Sequence, residues 1–313
     1  MMITVIGSAS LDLAARSAIM PQPGVTIRAS DYRSGPGGKG CNQAIALARL
    51  GHVPGFLAKI GDDAMGAILL TALESEGIDI AAILRTGDAP TGIAMIHIDH
   101  NGENMITAVS GANAQLTETD IETHQSLISE ADFLLVQLES PASAIACAMK
   151  HARSTQTITI LDPAPVADRV VMRDLVSLCH IVTPNQGECS ALTGITPTDM
   201  DSARRAASVL HRMGANTVIL KMGRIGAFFC DGSQSDLVPG YQVSSVDSVA
   251  AGDCFNAGLA SALHEGASLP EAVKFACAAG ALTTTQSGAA SATPYRHEVA
   301  EFMESAQQTC QHA

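Results

Sequence analysis

At 313 residues the chain can bury a sizeable core without disulfide staples, and 47% hydrophobic against 16% charged residues excludes a disordered segment or a coiled coil. No apolar run approaches a membrane span, and 31 acidic against 18 basic residues, a formal charge of −13, argue against broad binding to nucleic acid or anionic lipid. With no Trp and only 3% aromatic residues there is no base-stacking platform, so ligand contacts should be polar and any phosphate held locally.

The amino terminus runs straight into Ile3-Thr4-Val5-Ile6, a first strand rather than a secretion signal. Residues 25–29 alternate in strand fashion, and 91–98 and 105–109 flank Asp99-His100-Asn101-Gly102, a hairpin turn pattern. These pieces are expected to pair into a small β-sheet, spanning about 12–35 and 90–109, that projects as a lid; the alternative is that they extend the central sheet. Ile93, Met95 and Val25 would give the lid an apolar face, most simply covered by a second copy of the chain in a homodimer.

Further along, apolar runs at 56–60, 133–138, 158–161, 180–183 and 217–221 alternate with helical stretches. That rhythm predicts an α/β fold with a mostly parallel sheet between helices. Ser140-Pro141 reads as a helix start, and Ser268 with Glu271 as a capping box around Pro270. The helix predicted over 253–264 carries Ala257, Ala260 and Ser261, small enough for close packing. Eight cysteines (41, 147, 179, 189, 230, 254, 277 and 310) show no C-x-x-C spacing and read as reduced thiols of a cytoplasmic protein.

Ligands of open parallel sheets bind beyond the carboxyl ends of the strands. Asp12, Glu139, Asn185, Glu188 and Gly223 all follow predicted strands, so polar residues collect along one sheet edge. Gly35-Pro36-Gly37-Gly38-Lys39-Gly40 leads into a helix and lets backbone N–H groups approach a polar ligand. It is no Walker A loop, because Arg33 occupies the first glycine position and Gly40 the required Ser or Thr. Ala250-Ala251-Gly252-Asp253 opens a helix with unobstructed amides, where an anion belongs; Asp253 alone would also suit the helix dipole. Asn185-x-x-Glu188 could hold hydrated Mg²⁺ through water or simply solvate a surface, and Gly223-Arg224-Ile225-Gly226 permits a nucleotide or a plain turn. Zincin, G-x-S-x-G and G-x-G-x-x-G patterns are absent, and the ten His residues are scattered.

Together the residues resemble the ribokinase branch of the ribokinase/PfkB carbohydrate kinases. The first signature is Gly37-Gly38-Lys39-Gly40-Cys41-Asn42-Gln43-Ala44 and the second Asp247-Ser248-Val249-Ala250-Ala251-Gly252-Asp253-Cys254-Phe255-Asn256, with Gln137 to Pro141, Asp162 to Pro165 and Thr183 to Glu188 between them in family order. The resemblance covers essentially the whole chain. It implies a single ribokinase-like kinase domain over 1–313, a β-lid that closes over sugar and often forms a dimer contact, and transfer of the ATP γ-phosphoryl group to a primary hydroxyl of a pentose, D-ribose first. Other acceptors in the family include deoxyribose, ketohexoses and nucleosides such as pseudouridine, and a non-catalytic sugar-binding protein would keep the same fold.

By the same resemblance, Ser10, Asp12, Gly38, Lys39, Gly40, Asn42 and Glu139 would bind the sugar, with Asp253 as catalytic base. Ala250, Ala251, Gly252 and Asp253 would form the anion hole, Asn185 and Glu188 would position Mg²⁺ and phosphate, and Lys221, Gly223, Gly226, Gly252 and Cys277 would line the ATP site. Asp247, Val249, Thr283, Gln286 and Gly288 would supply oxygens to a monovalent cation, K⁺ in many members. Several positions depart from the family: Ser10 stands in place of a sugar-binding Asn, Ala292 in place of a cation-ligating Ser, Lys221 in place of a Thr and Cys277 in place of a polar residue near adenine.

Overall fold

A computed structural model describes residues 2–100 and 103–311, with 307–311 by backbone only. In chain order the elements are β1 (Ile3–Ile6), β2 (Ser10–Ser17), β3 (Ala29–Gly37), α1 (Lys39–Arg49), β4 (Gly55–Gly61), α2 (Ala64–Ser75), β5 (Ile83–Thr86), β6 (Gly92–Ile98) and β7 (Asn104–Val109). The chain continues with α3 (Glu118–Thr123), α4 (Gln125–Ser129), β8 (Phe133–Val136), α5 (Ala142–Thr155), β9 (Ile158–Leu161), α6 (Arg169–Leu178), β10 (Ile181–Val182), α7 (Gln186–Thr193) and α8 (Met200–Met213). It closes with β11 (Thr217–Lys221), β12 (Gly226–Cys230), β13 (Ser235–Pro239), α9 (Ala251–His264), α10 (Leu269–Thr283) and α11 (Arg296–Gln311).

Nine strands form one sheet in the order β13-β12-β11-β10-β9-β8-β1-β4-β5, parallel except for β12 and β13. Its strands read as continuous apolar runs because both faces are buried. Ile3 and Val5 of β1, Phe56 and Ile60 of β4 and Phe133 and Leu135 of β8 pack against the layer that includes α1, α9 and α10. Ile6, Leu57, Leu134 and Val136, one step out of phase, pack against the layer that includes α5, α6 and α8.

A separate four-stranded sheet has the order β3-β2-β6-β7. Residues 25–28 are not strand, contrary to the alternation there: after Pro21, Pro23 and Gly24 the chain makes a turn closed by the Val25 amide on the Gln22 carbonyl, and Val25 is 56% exposed. The strand that organises the sheet is β2, which pairs antiparallel with β3 and parallel with β6, so Asp12 lies within a strand of the small sheet and not at the end of β1. Of the expected hairpin turn, Asn101 and Gly102 lie outside the described residues.

Helix ends follow local chemistry. The Glu271 carboxylate accepts from the Ser268 amide and hydroxyl at the start of α10. Ser140 does not cap α5: Pro141 takes the cap position, and Ser140 Oγ is buried without a protein partner. Helix α9 starts two residues earlier than expected, at Ala251, because Ala250 adopts a left-handed conformation (φ 61°) that turns the chain into it.

The amino terminus of α1 is set by two glycines. Gly38 has φ 85°, and at Gly40 a Cβ would lie 2.7–2.8 Å from backbone atoms of Gly7 and Ser8, so the helix start abuts the end of β1. Gly40→Ala must push this contact apart, at a cost of about 1–3 kcal/mol for overpacking. Thermal denaturation should show a clear fall in Tm; an unchanged Tm would refute the close approach.

Candidate active site

The carboxyl ends of β1, β8, β9, β10 and β11 open on one side of the large sheet, and the first turns of α1 and α9 face each other there. Lys39, Asn42 and Gln43 lie one turn apart on α1 and share a face. Asp253, 4% exposed on the first turn of α9, accepts from Asn42 Nδ2 at 3.1 Å and from Gln43 Nε2 at 3.2 Å. Gln43 Oε1 accepts from Gln137 Nε2 at 2.7 Å, so the Gln43 amide is oriented with its N–H toward Asp253. Glu139, beyond β8, accepts from the Lys39 amide at 2.8 Å and from the Ser8 hydroxyl, which ties the start of α1 to the sheet.

Lys39 Nζ lies 3.6 Å from Asp162 Oδ2 and 4.0 Å from Asp253 Oδ1, while Lys221 Nζ donates to Asp162 Oδ1 at 3.1 Å. Two ammonium groups thus meet a larger number of carboxylates. Burial alone would push Lys39 down, but Asp253, Asp162, Glu139 and Glu188 hold its pKa above the usual lysine value. Burial pushes Asp253 up, and Lys39 pulls only part of the way back. Glu188 is likewise raised by burial against the pull of Lys221. Asp12, on the small sheet, is pushed up to about 7 by burial, reinforced by Glu139 and Asp253.

A cleft of about 770 Å³ is lined by Lys39, Asn185, Glu188, Lys221, Gly223, Gly226, Ala250, Ala251, Gly252, Asp253 and Cys277. The amides at its end belong to α9, whose first intrahelical bond runs from the Cys254 amide to the Ala250 carbonyl. The Ala251 amide donates to the Ser248 carbonyl at 3.3 Å, while the Gly252 and Asp253 amides, in the same turn, have no backbone partner. Asn185 and Glu188 form a capping box at the start of α7, in which the Asn185 amide donates to Glu188 Oε2 at 2.8 Å and Asn185 Nδ2 to Oε1 at 2.6 Å. Glu188 lines the cleft and each of its oxygens can accept a further hydrogen bond, which suits a hydrated divalent ion held through water. Among the described residues no group of three or more His, Cys, Asp or Glu has the geometry to hold a metal ion directly.

A second cavity, about 590 Å³, lies beneath the small sheet and is lined among others by Asp12, Arg16, Arg33, Asp247, Val249 and Gly288. Asp247 accepts from the amides of Val249 and Gly288, each at 3.0 Å, and so ties together the two turns from which a monovalent cation would draw its ligands. Thr283 is buried with its hydroxyl on the Ala279 carbonyl, and Gln286 is joined to it by a backbone contact of 3.4 Å. Ser10 pairs with Gly37 and its hydroxyl lies beside Gly38. Cys277 is 8% exposed, and burial pushes its thiol up to about 12, so it meets a ligand as an apolar group.

Asp162 received no role from sequence, although it follows β9 and obeys the strand-end rule that selected Glu139 and Asn185. Gln43, Gln137 and Ser8 were passed over because a buried amide or hydroxyl leaves no spacing signal.

A pfkB family carbohydrate kinase profile matches residues 1–296. The chain is 38% identical over 304 residues to the ribokinase of Haemophilus influenzae, covering 97% of this chain and 99% of that one. It is 31% identical over 301 residues to the deoxyribokinase of Salmonella typhi, covering 96% and 98%. A structure of Arabidopsis thaliana ribokinase complexed with ribose and ATP superposes with a TM-score of 0.90 at 29% identity, covering 96% of this chain and 98% of that one.

The raised Asp12 pKa carries a pH signature. Between its unfolded value near 3.8 and about 7 the native state binds more protons than the unfolded state, so this group's contribution to stability declines as pH rises through that window. Denaturant titrations of the ligand-free protein at pH 5 and pH 7.5 should show wild type losing a few kcal/mol more than Asp12→Asn across the interval. Equal losses would contradict the assignment.

Proposed function

The chain belongs to the pfkB family of carbohydrate kinases, and we propose that it transfers the γ-phosphoryl group of ATP to the primary hydroxyl of D-ribose, giving ribose 5-phosphate. The observation that carries this reading is the buried Asp253 carboxylate, on the first turn of a helix whose opening residues line the same cleft as Lys39 and Lys221.

In this reading the sugar lies between the small sheet and α1, with hydroxyls on Asp12, Lys39, Asn42 and Glu139 and its reacting oxygen at Asp253. Asn42 Oδ1 is buried without a protein partner, and a sugar hydroxyl would satisfy it. The triphosphate would run along Lys221 and Asn185 toward the Gly252 and Asp253 amides, and the nucleoside would lie over Gly223, Gly226 and Cys277. Asn185 and Glu188 would hold Mg²⁺ through water. That ion, when bound, supplies positive charge to the phosphoryl oxygens. Asp247, Val249, Thr283, Gln286 and Gly288 would surround K⁺.

The size of the proton-transfer problem selects the mechanism. A sugar hydroxyl titrates near the pKa of water, about 15.7, and an ordinary carboxylate near 4, so making a free alkoxide first would cost roughly 15 kcal/mol. Burial of Asp253 narrows that gap without closing it. Asp253 therefore orients the hydroxyl and accepts its proton as the bond to phosphorus forms, while the helix amides and Lys39 stabilise the transferring group.

The small sheet acts as the lid over this site. Asp12, Ala14, Arg16, Ile96 and Ile98 share its inner face and line the second cavity. Leu13, Met95, Thr107 and Val109 alternate to the outer face, where Met95 is 38% and Val109 44% exposed, and Tyr32 and Met105 add to it. This outer face is the homodimer contact. Among the described residues no helix is long and apolar enough to cross a membrane.

Deoxyribose is the rival acceptor, favoured by Ser10, which is shorter than the Asn that binds sugar in the family. An ADP-release assay over ribose, deoxyribose, fructose and pseudouridine should give the highest kcat/KM with ribose; a higher value for another acceptor would replace it, and binding without turnover of any would overturn the kinase reading. Asp253→Asn should lower kcat by several orders of magnitude and move ribose KM only modestly, since shape and most hydrogen bonds persist. Near wild-type turnover would remove Asp253 as the base.

A further inference from the structure

The cysteines whose side chains are described divide by environment. Cys41, Cys179, Cys189, Cys254 and Cys277 are buried, and burial pushes their thiols up, to about 12 for Cys179 and about 11 for Cys189 and Cys254. Cys147 and Cys230 are part-exposed. Cys147 is held up by burial and by the carboxylates of Glu122 and Glu118.

Cys230 ends β12, and its Sγ lies 3.3 Å from Nε2 of His211 on α8. The other ring nitrogen, Nδ1, lies 2.9 Å from the Ala215 carbonyl oxygen. A carbonyl can only accept, so Nδ1 carries the proton of the neutral ring. Nε2 then holds a lone pair, and the Cys230 S–H donates to it. The orienting carbonyl is fixed by the end of α8: Gly214 takes φ 113° and the Ala215 amide returns to the Leu210 carbonyl. Nucleophile, base and orienter thus stand in hydrogen-bond sequence, the arrangement that activates a nucleophilic side chain.

We propose that Cys230, with His211 as its base, is a reactive thiol that takes small uncharged electrophiles, hydroperoxides foremost. The preference for an uncharged reagent follows from the surroundings: Asp231 is the next residue, Asp236 stands on the paired strand, and the chain carries 13 excess negative charges. In the reaction the Cys230 proton passes to His211 Nε2 and the sulfur attacks one peroxide oxygen. An S–O bond forms, the O–O bond breaks, and the departing hydroxide takes the proton from His211 and leaves as water. The thiol is oxidised to a sulfenic acid and the peroxide reduced. Gly226, at the other end of β12, lines the nucleotide cleft, but Cys230 lies four residues, about 13 Å, further along the strand. Modification there leaves the kinase site intact.

The test uses the full chain carrying Cys310→Ser, treated at neutral pH with limiting iodoacetamide and read peptide by peptide by mass spectrometry. Cys230 should be labelled about tenfold faster than Cys147, and faster by iodoacetamide than by anionic iodoacetate. His211→Gln should slow Cys230 about tenfold while Cys147 labelling and kinase turnover stay unchanged. Hydrogen peroxide with dimedone should place the sulfenic-acid adduct on Cys230, and Cys230→Ser should abolish it. Equal labelling of Cys147 and Cys230 in the wild-type sequence overturns the proposal without recourse to a variant. So does a Cys230 rate that His211→Gln leaves unchanged, and a missing dimedone adduct overturns the hydroperoxide assignment.

Discussion

A carboxylate stripped of water costs several kcal/mol unless charge and hydrogen bonds are supplied to it, and this protein strips several at once. Asp253, Asp162, Glu139 and Glu188 crowd around Lys39 and Lys221, and the balance stays negative. Amide donors from Asn42 and Gln43 offset part of that cost at Asp253. The remainder leaves Asp253 a stronger base than a solvated aspartate.

The fold exists to bring those groups together from distant parts of the chain. Lys39, Asn42 and Gln43 come from a helix that can start where it does only because Gly40 lets it touch β1. Asp253 comes from a helix whose first turn is set by the left-handed Ala250, and at Gly280 a Cβ would meet the Ala251 carbonyl at 3.0 Å, so α10 presses closely on that same turn. Asp12 comes from a separate sheet and is brought within electrostatic reach of Glu139 and Asp253. No one of these segments contains a working constellation.

Much of this arrangement was legible in the residues. Strands buried on both faces announce themselves as apolar runs, which is why β1, β4, β8, β9 and β11 stand out, and the strand-end rule then selected Glu139, Asn185 and Glu188. The small sheet was harder, because half of it is wet. Alternation at 25–28 satisfied the pattern with no partner strand to receive it, while Ser10-Leu11-Asp12-Leu13, in the strand that pairs with both β3 and β6, was hidden by its polar and small residues. The hydrogen bonds joining Gln137, Gln43 and Asp253 span 210 residues of sequence at their longest and leave no local trace. The Asn185–Glu188 pair illustrates a different limit: the same spacing serves as a helix cap and as a cleft-facing carboxylate, and only the three-dimensional setting shows that one pair can do both.

The most direct test is a crystal structure of the protein with ribose and a non-hydrolysable ATP analogue bound together. The account predicts an Asp253 oxygen within hydrogen-bond reach, about 2.6–3.2 Å, of the sugar's primary hydroxyl, and terminal phosphoryl oxygens on the Gly252 and Asp253 amides, under a closed small sheet. An Asp253 side chain still turned wholly toward Asn42 and Gln43, with the hydroxyl and the phosphoryl group bound elsewhere, would contradict it.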